Sequence, residues 1–256
     1  MKKLLLFSLF IMIQGCGLGE EWPLSSSRAD SLSLSDLKLY VSIKEYKRSG
    51  TALVGVGLRT RGLLGVPIKF DQSESFKATI VNHQGETETT TLTYDSSAGF
   101  FWRDGTFVSD FYGATVSLPE VGSNYTITYT DTDDGIETNV SFSSQGGPDI
   151  TSPEDGSSYS VFDDLPIEIT WSPGGFDQLN LSYLFASFAE DQIELEDTGS
   201  YSIERNTPPG ERGKLGNVRI RLYNYTAYDE APGFGSADII IETRDEINLG
   251  VSLNRS

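Results

Sequence analysis

The sequence predicts an all-β protein of two tandem β-sandwiches, and three observations carry that expectation. From Asp36 onward, apolar residues alternate with polar ones in short runs, the two-residue period of a strand with one buried face. Clusters of Gly, Pro, Asn and Asp break these runs about every 8–12 residues, the turn spacing of a sandwich. No stretch has the 3.6-residue period of a long helix.

The chain opens differently. Lys2 and Lys3 precede an apolar run over residues 4–13, followed by Gln14, Gly15 and Cys16. A basic start, a short apolar core and a small residue at the cut make a signal peptide over 1–15. The run falls short of the about 20 apolar residues that span a bilayer. Ile13-Gln14-Gly15-Cys16 resembles the lipobox of bacterial lipoproteins. The resemblance implies that Cys16 becomes the acylated first residue of the mature chain, and Gly17 after it implies the outer rather than the inner membrane. Each buried acyl CH₂ contributes about 0.8 kcal/mol to such an anchor. Residues 16–35, with Glu20, Glu21, Pro23 and Ser25-Ser26-Ser27, read as a flexible tether.

Charge narrows the function classes. Acidic residues number 37 against 19 basic ones, for a formal net charge of -18. Such a surface repels nucleic acid, which is excluded as a partner. Cys16 is the sole cysteine, so no disulfide or thiolate metal site is available, and stability must come from core burial. Two units of about 110 residues each bury enough surface for that.

The first unit is expected over 36–145. Leu37, Leu39, Val41 and Ile43 alternate with Lys38, Tyr40, Ser42 and Lys44 as a half-buried strand. Leu53, Val54, Val56 and Leu58 follow, and Gly55 and Gly57 among them suggest a bulge or a close backbone approach. Strands at 76–81 and 89–94 flank a turn at 82–86. A strand from Thr115 leads to another at 125–129, and the turn Asp131-Thr132-Asp133-Asp134-Gly135 returns the chain along 136–142. Gly146-Gly147-Pro148 then break the pattern and mark the boundary.

The second unit, 146–256, opens on Ile150-Thr151-Ser152-Pro153. Ile167, Ile169 and Trp171 share one face, which puts the indole in the middle of a sandwich core. Strands follow at 179–183, 218–223 and 238–242. Asp197-Thr198-Gly199-Ser200-Tyr201 reads as a turn whose Tyr201 hydroxyl bonds back to the corner. Seven or so short strands per unit argue for immunoglobulin-like or fibronectin-like sandwiches.

Ile150-Thr151-Ser152-Pro153 with Gly156, Ile169-Thr170-Trp171, the Asp197–Tyr201 turn and Ala231-Pro232-Gly233-Phe234-Gly235 together resemble a group of uncharacterised exported bacterial lipoproteins. The likeness covers mainly 148–248. It implies an immunoglobulin-like sandwich in the C-terminal half and an envelope location, and no chemistry.

Candidate sites follow from residue types. Asp131, Asp133 and Asp134 offer oxygens for calcium, which takes six to eight of them. Their spacing to Gly135 is one residue short of an EF-hand loop, and Asp-Gly is equally a hairpin turn. Asp149 and Asp155, with Glu154, Asp177, Asp229 and Glu230, are candidates to share a calcium ion at the joint between units. No other cofactor is expected. His83, the sole histidine, sits in a polar turn, and no G-x-S-x-G elbow accompanies it. Phe100, Phe101 and Trp102 place three rings in a row, of which an exposed one would stack on a glycan or a protein partner. Arg219, Arg221, Tyr223 and Tyr225 lie on the face opposite Val218, Ile220 and Leu222, a cationic and aromatic stripe suited to binding. The alternative is that Arg219 and Arg221 pair with acids on neighbouring strands. The expectation is a lipid-anchored envelope protein that binds an envelope protein or glycan without catalysis. A carboxylate-based hydrolase and a passive structural component are the alternatives.

Overall fold

The computed structural model describes residues 32–61, 67–68, 70, 73–81, 85–95, 100–101, 107–108, 111–117, 123–160, 166–185, 191–203 and 217–252. Cys16, His83 and Trp102 lie outside them. The described strands of the first half are β1 (Leu37–Tyr46), β2 (Thr51–Thr60), β3 (Pro67–Ile68), β4 (Glu74–Val81), β5 (Thr87–Thr91), β6 (Thr93–Asp95), β7 (Phe100–Phe101), β8 (Phe107–Val108), β9 (Phe111–Ser117), β10 (Asn124–Asp131) and β11 (Ile136–Ser143). Those of the second half are β12 (Ile150–Ser152), β13 (Ser158–Ser160), β14 (Ile167–Trp171), β15 (Leu179–Phe185), β16 (Asp191–Leu195), β17 (Ser200–Ile203), β18 (Asn217–Tyr228) and β19 (Ser236–Ser252). The protein is all-β, as the alternation predicts. Among the described residues no helix is long and apolar enough to cross a membrane.

One large sheet, in the order β16-β15-β18-β19-β1-β2-β9-β6, supplies a layer to both cores. Over its β19-β1-β2 part lies the sheet β11-β10-β4-β5, and Val41, Ile43 and Val54 meet Phe76, Ile127 and Tyr129 between the layers. Over its β15-β18-β19 part lies the sheet β12-β14-β17, and Leu181, Ile220 and Ile247 meet Ile169 and Trp171. Each such side chain, fully buried, contributes about 1.5–3 kcal/mol. In the second half β12 lies in one layer, while β13 pairs in parallel with β19 in the other. With β15-β18-β19 opposite β14-β17, two sheets face each other across one core, the arrangement of a β-sandwich. The first half is wired differently: hairpins β1–β2, β4–β5 and β10–β11 pair, and β1 runs parallel to β19.

Two local expectations are corrected. Gly55 and Gly57 make no bulge. Their strand pairs with β1 in one unbroken register, Gly55 opposite Ser42 and Gly57 opposite Tyr40. The corner after β16 is organised by Asp197 rather than by Tyr201. Asp197 accepts hydrogen bonds from Trp171 Nε1 at 2.7 Å and from the backbone N–H groups of Gly174, Gly175 and Phe176. A carboxylate gathers four donors, which a phenol oxygen cannot do.

The strand that joins the cores is β19. Ala237, Ile239, Ile241, Thr243, Asp245, Ile247 and Leu249 are all buried, so one face keeps its period through both sandwiches. The first three belong to the first core and the last two to the second. Phe142 still packs in the first core and Ile150 in the second, yet the tip of the β18–β19 hairpin, with Ala231 and Ala237, returns to the first.

Between the cores that face turns polar. Buried Glu45, at the end of β1, accepts hydrogen bonds from the Tyr125 hydroxyl at 2.6 Å, from Ser144 Oγ at 2.7 Å and from Thr243 Oγ1. Burial, and then the Glu45 carboxylate beside it, push the Tyr125 phenol far above its usual range, so it stays a donor. Asp245 accepts from the Ile150 N–H at 2.9 Å. The connecting segment is strapped directly on β19. A Cβ on Gly147 would stand 2.6–2.8 Å from Thr243 atoms, so only glycine fits there.

A basic cleft at the seam

On the opposite face of the large sheet, the seam opens into a cleft. Strand β1 ends where Tyr46 pairs with Arg244, and β13 begins only where Ser158 pairs with Gly250. Both lie along β19, so between them that strand has no neighbouring strand on this side among the described residues. The gap forms a cleft of about 360 Å³ lined by Tyr46, the 3-10 turn Lys47–Ser49, Asp155, Arg219, Arg221, Arg244, Glu246 and Asn248. Five cations against two carboxylates stand out on a chain of net charge -18.

Strand period places the cations. Val218, Ile220 and Leu222 turn to the core, which sends Arg219 and Arg221 outward, and Arg244 and Glu246 occupy the same outward phase on β19. Most of the charge is locally balanced. Arg221 stands directly across the ladder from Glu246, with Nε 2.6 Å from Oε2. The Arg244 guanidinium lies 4.1 Å from the centre of the Tyr46 ring, with Nη1 3.5 Å from Glu242. Lys47 Nζ is 2.6 Å from Asp149 and donates to the Gly147 carbonyl. Arg48 grips Asp245, and Asp155 accepts the Asn248 backbone N–H at 2.7 Å.

Three side chains of the lining have no hydrogen-bond or ion-pair partner among the described residues: the Arg219 guanidinium, the Asn248 amide and the Tyr46 hydroxyl. Arg219 and Asn248 are direct cross-strand partners. Their unfilled groups share one small opening and include donors of full charge beside groups that both donate and accept.

The sequence-derived stripe therefore divides. Arg219 and Arg221 face the cleft, whereas Tyr223 and Tyr225 form an edge-on pair with ring centres 5.3 Å apart and do not line it. Tyr223 is only 7% exposed, which leaves little of its ring for a partner. Of the lining, sequence reasoning singled out Asp155, Arg219 and Arg221, but not Tyr46, the turn Lys47–Ser49, Arg244, Glu246 or Asn248. The alternation of Glu242, Arg244 and Glu246 marks a polar outward phase, but nothing along the chain ties it to Tyr46.

The calcium candidates are placed as follows. Asp131 Oδ1 accepts the N–H groups of Asp133 and Asp134, which closes the hairpin turn, and Gly135 takes a left-handed conformation. Asp149 and Asp155 flank the seam in the bonds described above. Among the described residues no three of His, Cys, Asp and Glu gather closely enough to hold a metal ion. Comparison of the chain with protein-family models and with curated proteins finds no match.

Proposed function

We propose that this protein is a lipid-anchored component of the cell envelope that acts by recognition rather than by bond-breaking, and that the seam cleft is its binding site. The observation that carries the reading is Arg219, held outward in a basic cleft on an acidic protein with no ion-pair partner among the described residues. An isolated guanidinium of this kind is a standing donor for an anionic group. Recognition is favoured over hydrolysis because both carboxylates of the cleft are engaged, Glu246 with Arg221 and Asp155 with a backbone N–H. A glycosidase needs one carboxyl placed to give up a proton and a second facing it. The leader sequence and Cys16 support the anchor.

The test has two arms. Labelled fatty acid is incorporated into the protein in cells and is lost in Cys16→Ser. The full chain, immobilised in detergent micelles, retains a component of envelope extract that the double variant Arg219→Glu, Arg221→Glu does not retain. An unlabelled protein overturns the anchor, and equal retention by both forms overturns the site.

A further inference from the structure

We infer that the cleft binds a sugar that carries a single carboxylate, with the acid group on Arg219 and ring hydroxyls on Asn248 and Tyr46. This deepens the recognition reading above and rests on it. Three features narrow the ligand. Among the described residues the lining contains no Leu, Ile, Val or Phe, so an apolar or amphipathic peptide would find no surface to bury. The volume of about 360 Å³ is at the low end for small-molecule sites, which suits a sugar unit or two rather than a folded partner. The unfilled groups call for an anion beside hydroxyls: one charged planar fork, one amide and one phenol.

Charge fixes the number of acid groups. Lys47, Arg48, Arg221 and Arg244 each have a carboxylate partner, and among the described residues Arg219 has none. One carboxylate completes the balance. A polyanion would have to displace Glu246 or Glu242 and then run onto the acidic remainder of the chain. Arg219 and Asn248 face each other across the ladder, about 5 Å apart at the backbone, which matches a carboxylate and a neighbouring hydroxyl on one ring.

The experiment uses the full chain in detergent micelles and ligand-observed NMR. The probes are glucuronate, galacturonate and N-acetylneuraminate, with glucose, butyrate and glucose 6-phosphate as comparators. At least one sugar acid binds, Arg219→Gln weakens it tenfold or more, Asn248→Ala weakens it severalfold, and Lys77→Gln on the far sheet leaves it unchanged. Glucose and butyrate bind at least tenfold more weakly than that sugar acid. Equal binding of glucose 6-phosphate would reassign the cleft to oxyanions in general and overturn the sugar-acid assignment. So would binding indifferent to Arg219→Gln, or no binding of any sugar acid. If no sugar acid binds while retention from envelope extract still requires Arg219 and Arg221, the ligand class falls and the recognition reading stands. If neither is seen, both fall.

Discussion

The Arg48 guanidinium brackets the Asp245 carboxylate, with Nε 2.6 Å from Oδ1 and Nη2 3.0 Å from Oδ2. The two residues are 197 positions apart, and their pairing holds the turn after β1 to the middle of β19, where the cores meet. The partners differ in burial: the Asp245 side chain is 4% exposed and that of Arg48 40%. Removing either leaves a different residue of the pair behind. Arg48→Ala strands a buried carboxylate with one backbone donor, whereas Asp245→Ala leaves an arginine that water can reach and one unpaired Ile150 N–H. Arg48→Ala is therefore expected to cost more, about 3 kcal/mol, against about 1–2 kcal/mol for Asp245→Ala. The double variant costs less than the sum. Denaturant unfolding of the four forms measures it, and an additive result would remove the pair from the account of the seam.

Gly147 sits against Thr243 so closely that a methyl group has nowhere to go. The nearest atoms are Thr243 Cγ2, Cβ and its carbonyl oxygen at 2.6–2.8 Å. Gly147→Ala is expected to destabilise by about 1–3 kcal/mol through overpacking. Thr243→Ser in the same chain removes the Cγ2 clash but leaves the Cβ and the carbonyl oxygen, so it restores part of the loss. Thermal melts of the three forms check this. Full rescue would place the strain at Thr243 Cγ2 alone.

The alternation of Leu37 to Ile43 and of Ile167, Ile169 and Trp171 was legible because each strand buries one face against apolar neighbours, and its own residues carry that pattern. The full reach of β19 was not. Its sequence expectation ends at Glu242, and Thr243, Arg244, Asp245 and Glu246 beyond it are all polar. Thr243 and Asp245 are nonetheless buried, because their partners Glu45 and Arg48 come from the other end of the chain. Period shows which way Arg219, Arg221 and Tyr223 point. It does not show what lies across from them, and the cleft exists only because β1 stops at Tyr46.

Asp197 gives the second sandwich an acid-sensitive corner. Burial alone would raise its carboxyl, but the Trp171 indole and three backbone N–H groups outweigh that and hold it below the ordinary value of 3.8. A folded value below the unfolded one stabilises the protein above the unfolded value, and the gain is lost as the pH falls through the folded value. Asp197→Asn is expected to cost about 1–3 kcal/mol near neutral pH. The gap to the parent closes as the pH drops below about 3.8. Denaturant titrations between pH 3 and 7 measure that gap, and one that stays constant with pH would show that the charge of Asp197 does not stabilise the corner.

Ile239 and Ile247 lie eight residues apart on one face of β19, each fully buried in a different core. Truncation to Ala removes three methyl or methylene carbons from a packed interior and costs about 2–5 kcal/mol at either place. Where the cost is felt depends on the strand between them. Thr243 is tied to Glu45 and Asp245 to Arg48, so β19 cannot come away from one core while keeping its seam bonds. Loss of the first core should then pull on the second. Ile239→Ala is expected to speed hydrogen exchange of the slowest amides of β15, which touches only the second core, as much as those of β1. Ile247→Ala should do the reverse. Exchange that accelerates only in the truncated core would mean that each sandwich opens alone and that the seam bonds break before either core does.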